Sequence, residues 1–179
     1  MRAISFVIIM LLLGGNVIAQ TKEEKKAAKK AKKEAKVQAD KENTAVLMEI
    51  VESKKFVLEA STLFDRTGAS YILNSSLNFV GFDGVNSTIQ LSLSQLAGWN
   101  GVGGVTIDGT ITKMEILPNK EGLGFTINAA VRNKVGGMVT MIFKVNSSGN
   151  ARVDMNGSFG DRLTFQGVLV SLDNTRVYK

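Results

Sequence analysis

The sequence predicts a mainly β protein with an N-terminal helix, its strands forming an antiparallel meander that makes a curved sheet, barrel or sandwich. Three observations lead there. From Lys55 onward apolar residues recur with a period of two. Turn-forming Gly, Asn, Asp and Ser clusters interrupt that pattern at short intervals. Before Lys55 the period is helical instead.

The first segment, residues 1–19, has the pattern of a cleavable signal peptide. Arg2 supplies a positive start, Ile4 to Leu13 are apolar apart from Ser5, and Val17-Ile18-Ala19 offers small residues for cleavage before Gln20. The apolar run is about half the roughly 20 residues that a spanning helix needs. No cysteine follows the cleavage site, so a lipid anchor has no acceptor. Export to the periplasm or outer membrane, without lipidation, is expected.

Residues 20–44 read as a lysine- and alanine-rich helical spacer. Thr21 and Glu24 fit a capping box, and Lys30/Glu34 and Lys36/Asp40 lie one turn apart. Residues 22–42 carry nine Lys against five acids. A solvated tether is the first reading of such a charge run. Attachment to an anionic envelope surface is the second, although bulky apolar anchors are missing. An alanine-seamed contact with a partner helix is the third. From residue 45 the character changes: Val46, Leu47, Ile50 and Val51 form an amphipathic face expected to dock on a core, with the helix ending near Lys54 and Lys55.

Residues 45–179 form a single β-rich domain in this reading. The expected strands begin with Phe56–Ala60, Tyr71–Leu73, Leu77–Val80 and Asn86–Leu93. Val105–Ile107, Thr110–Leu117, Gly124–Val131, Val139–Val145, Ala151–Met155 and Leu163–Leu172 follow. Asp83-Gly84, Asp108-Gly109, Gly136-Gly137, Ser147 to Asn150 and Asn156 to Ser158 are turn or bulge signals between them. Hairpin-length connections make successive strands antiparallel.

Composition excludes several chemistries. The chain has no Cys and no His, so disulfides, thiolate nucleophiles, Fe–S clusters and the commonest general base are absent from it. From Asn43 onward twelve Lys and Arg face eleven acids, so the +6 charge of the whole chain belongs mostly to the spacer. A nucleic-acid partner is not expected for a domain so nearly neutral. Asp154-Met155-Asn156-Gly157-Ser158 superficially suggests a calcium loop, but Phe165 stands where the closing Glu should be, and hairpin chemistry explains the run better. No metal site, cofactor or catalytic residue is expected.

The Gly-rich run Gly98 to Gly104 lacks the spacing and the Lys-Ser or Lys-Thr of a phosphate loop. It carries Trp99, the only Trp, and makes Trp99, Gly101 and Gly103 the candidate ligand-binding residues, as a loop over a pocket mouth.

The order of these features is that of a known family: a signal peptide, a Lys/Glu/Ala helix, then Glu52 to Ala60, then the Gly-rich loop running into Gly103-Gly104-Val105-Thr106-Ile107-Asp108-Gly109, then paired hairpins ending near Gly167. From Glu24 to Leu172 the chain resembles the domain-of-unknown-function family 4251. The resemblance implies an exported protein of Gram-negative bacteria and implies no activity. This chain has Leu91, Leu93 and Leu96 in the strand region where aromatic residues are expected of that family. Together these readings lead to a non-enzymatic, exported binding module for an apolar small molecule or an envelope protein. A structural component tethered by its lysine-rich helix is the alternative. A carboxylate-dependent hydrolase comes last, since nothing singles out a pair of acids.

Overall fold

The computed structural model describes residues 22–92, 104–157 and 162–177. The proposed signal segment and Thr21, with its half of the capping box, lie outside them. One helix, α1 (Lys22–Glu52), precedes nine strands: β1 (Lys55–Phe64), β2 (Ser70–Ile72), β3 (Phe79–Asp83), β4 (Asn86–Ser92), β5 (Gly104–Pro118), β6 (Gly124–Asn133), β7 (Met138–Asn146), β8 (Asn150–Gly157) and β9 (Arg162–Ser171). All pairings are antiparallel.

The sheet closes on itself. β3 to β9 follow one another as a meander, and β9 returns to pair with β1 from Phe56↔Ser171 to Phe64↔Thr164. The other edge of β1 is shared: Lys55 to Glu59 pair with β3, and Thr62 to Phe64 pair with the short β2. The result is an eight-stranded antiparallel barrel with β2 as an appendage. Closure removes the exposed sheet edges of the eight barrel strands.

The sequence separates residues 105–107 and 110–117 into two strands, yet β5 is one strand of 15 residues. Asp108-Gly109 is therefore no turn. Gly109 is required for a different reason: a Cβ there would collide with the Val131 side chain and the Arg132 carbonyl of β6. The irregularity falls three residues later, as a bulge between Ile111 and Lys113. Such bending lets a long strand serve both neighbours of a tilted barrel, with Gly104 to Thr110 on β4 and Gly109 to Pro118 on β6. Asn156 and Gly157, read from the sequence as a turn signal, likewise lie within β8.

The chain divides into two compact units at Lys36/Val37. In the first, Lys22 to Lys36 are exposed helix, with Lys30 and Glu34 3.9 Å apart as their spacing predicts. In the second, the remaining turns of α1 lie across one end of the barrel. Val51 is fully buried in the core, and Leu47, Met48 and Ile50 pack on it. Thr44, Leu47, Met48 and Val51 share one helix face, whereas Val46 points away and is 57% exposed, contrary to the face read from the sequence. Asp40 accepts a hydrogen bond from the Ser147 hydroxyl in the β7–β8 turn. The helix ends at Glu52, and Lys54 takes the left-handed conformation (φ 57°) that stops it. The Lys54 carbonyl then accepts from Gly84 N–H in the β3–β4 turn.

Beneath the helix the core is built on aromatic rings. Phe56 and Phe82 stack at 4.6 Å, and Phe143 meets both rings edge-on at 6.3 and 5.8 Å. A second, smaller apolar cluster lies outside the barrel, where Val177 covers Val57 and Phe79. Glu59 holds that C-terminal segment by accepting from the Thr175 hydroxyl (2.9 Å) and the Arg176 N–H (2.7 Å).

Candidate functional site

The end of the barrel opposite the helix is built differently. Alternation points Ile89 and Leu91 of β4, and Val105 and Ile107 of β5, into the interior. Val139 of β7, Met155 of β8 and Leu163 and Phe165 of β9 face them. These side chains enclose an almost wholly apolar cavity of about 250 Å³. Val105 is 57% exposed, so the cavity reaches solvent at that rim. On three of the lining strands, β4, β7 and β8, the next inward position is buried: Ser87, Met141 and Val153 are at most 2% exposed, which closes the space below.

A buried amide fixes the rim. Asn78 is 1% exposed, and its side chain uses both ends. Nδ2 donates to the Asn74 carbonyl at 2.9 Å, and Oδ1 accepts from Ser92 N–H at 2.6 Å. Ser92 ends β4 next to Leu91, so Asn78 ties a cavity-lining residue to the segment before β3. Ser87 is the opposite case. Its hydroxyl is the one buried side-chain polar atom among the described residues that has no partner.

The candidate residues read from sequence, Trp99, Gly101 and Gly103, lie outside the described residues. Their connection is rooted here, because Ser92 and Gly104, the residues flanking it, are paired at this end of the sheet. The wall of the cavity is what the sequence left unassigned. Its only signal was the alternation of Ile89, Leu91, Val105, Ile107 and Leu163, which reads equally well as filled core.

The outer wall is polar. Asp154 of β8 accepts from the Thr164 hydroxyl at 2.6 Å and lies 3.6 Å from Arg152 and 3.7 Å from Arg162. Burial works to raise its pKa, but the Thr164 hydrogen bond and the charges of Arg152, Arg162 and Lys144 outweigh it and hold the carboxyl below its usual value. Arg152 also stacks over the Phe64 ring at 5.4 Å. Lys144, Arg152, Asn146, Asn150 and Gln166 border a shallow trough on this outer face. Among the described residues no group of three or more Asp or Glu is placed to hold a metal.

The fold and site together define a small closed β-barrel with an apolar cavity at its mouth and a helix across its other end. The chain belongs to the family described as Domain of unknown function (DUF4251), whose profile matches residues 38–169. It is similar to the crystal structure of a DUF4251 family protein from Bacteroides eggerthii DSM 20697, at 27% identity and a TM-score of 0.63 over 78% of this chain and 94% of that one. No curated protein matches the chain. The matched region starts beyond the exposed lysine-rich turns and contains all nine strands except the end of β9.

Proposed function

We propose that this protein is an exported, non-enzymatic binding module, periplasmic or associated with the outer membrane, that receives an apolar ligand in the mouth of its barrel. The mouth cavity carries this reading. Eight-stranded barrels are just wide enough to be filled by side chains or to hold one small ligand. Here an aromatic cluster packs the interior toward the helix, and an apolar cavity opens at the mouth. A void of roughly 150 Å³ lined by aliphatic side chains already accepts benzene, and this one is larger. Export rests on the signal pattern of Met1 to Ala19, and the lack of any Cys leaves lipidation no acceptor. The non-enzymatic reading rests on the lack of His and Cys and on a cavity lining with no titratable group among the described residues.

Native mass spectrometry of protein purified from the periplasm tests the proposal. An apolar adduct is expected, and Ile107→Trp, which fills the cavity, removes it. Adduct-free protein across several growth conditions contradicts the proposal.

A second reading has an observation of its own. Every residue from Lys22 to Lys36 is exposed, and the segment carries eight Lys against three Glu. This supports a tether to an anionic envelope surface. Fractionation of a variant lacking residues 21–36 tests it: release from the envelope supports the tether, and an unchanged distribution removes it.

A further inference from the structure

Building on the mouth-binding reading, we infer that the cavity takes one unbranched alkyl chain, inserted end-on, with its polar end left at the rim. Three features select this ligand class. First, the space is blind: below Ile89 and Met155 the next inward residues, Ser87 and Val153, are buried. A ligand therefore enters by one end only. Second, among the described residues the lining offers apolar side chains and the backbone of Gly157, with no charged or amide side chain to orient a polar ring or read a headgroup. Asp154 and Arg162, the nearest charges in sequence to the lining residues Met155 and Leu163, face outward and engage each other. Third, the rim residue Val105 is more than half exposed, so a polar end group there stays hydrated. By proportion to the ~150 Å³ that holds the six carbons of benzene, about 250 Å³ accommodates roughly ten carbons.

Selectivity then comes from chain length. Each methylene moved from water into the cavity strengthens binding about fourfold, until the space is full. Headgroup charge has little effect, since no described residue of the wall is charged.

The test is displacement of a fluorescent apolar probe from the full-length purified protein. The competitors are 1-alkanols of six to fourteen carbons, decanoate, and 2-naphthol as a ten-carbon ring compound. Affinity is expected to rise about fourfold per carbon and to level off near ten. Decanol and decanoate should agree within about threefold, and 2-naphthol should bind at least tenfold more weakly than decanol. A decyl phosphocholine below its micellar concentration separates two sources of such a chain. Binding equal to decanol's indicates a lipid tail, and exclusion of the larger headgroup indicates a free amphiphile; both agree with the inference. Ile107→Phe should move the break two or three carbons shorter, and Val139→Leu provides the same readout if that variant does not fold. A flat length series, or 2-naphthol binding as tightly as decanol, overturns the alkyl-chain inference. If Ile107→Trp still abolishes that binding, the mouth-binding reading survives. Failure of every probe and competitor to bind overturns both.

Discussion

The two ends of this barrel are made from the same kinds of residue and reach opposite outcomes. At the helix end three phenylalanines interlock, and Val51 of α1 enters between the strand ends with no exposed surface. At the mouth, Ile, Leu, Val and Met side chains alternate inward just as regularly, but no element caps them within the described residues, and they enclose space. Apolar patterning therefore specifies which face of a strand turns inward. Whether that face is packed or hollow depends on what lies across the barrel from it.

The contrast predicts several effects, of which the largest comes first and the smallest last. Phe143→Ala removes a fully buried ring from the aromatic cluster and should cost about 3–5 kcal/mol in chemical denaturation. Leu163→Ala at the mouth enlarges a void that already exists and should cost no more than about 1–2 kcal/mol, because little packing is lost. Equal losses at the two sites would remove the distinction between a solid and a hollow end. Asn78→Ala strips the rim of two buried hydrogen bonds and should cost about 1–3 kcal/mol. Weakened probe binding should accompany that loss, since Leu91 is next to the tied residue.

Asp154 sets a pH dependence on the outer wall. Its pKa is depressed in the folded state, so its contribution is present above the unfolded carboxylate value of about 3.9 and is lost as pH falls through the lower folded value. Wild-type stability should therefore decline more steeply below about pH 4 than that of Asp154→Asn, as thermal melts from pH 6 to pH 2 would show. Parallel curves would mean that the Thr164, Arg152 and Arg162 contacts do not hold this charge. The smallest effect belongs to Ser87→Ala. Deleting a buried hydroxyl with no partner should leave stability unchanged or raise it by up to about 1 kcal/mol, and a clear loss would show that the hydroxyl is bonded in solution.

Local sequence carried the strands well where one face is buried and the other wet. β7 alternates without a break from Val139 to Asn146, and its bounds differ by a single residue at each end from the run of apolar alternation. Local sequence failed at β5, because Asp108-Gly109 looks like a turn to any reading confined to neighbours. The need for glycine came from Val131, twenty-two positions away. The sequence allowed a barrel beside an open curved sheet or a sandwich, but could not choose among them, since β1 and β9 are a hundred residues apart and their pairing has no local signature. The same holds for the cavity. Leu91 and Phe165 are each legible as inward-facing, but the gap between their strands is a property of the closed sheet. The candidate loop of Trp99, Gly101 and Gly103 was placed on the connection that starts and ends at this mouth. The cavity wall itself became visible only in three dimensions.

The hollow mouth is the central claim, and xenon tests it most directly. In a crystal pressurised with the gas, electron density for xenon should appear between Ile107 and Met155, with none among Phe56, Phe82 and Phe143. Ordered waters filling the space at the mouth, with no bound xenon, would contradict an apolar binding cavity.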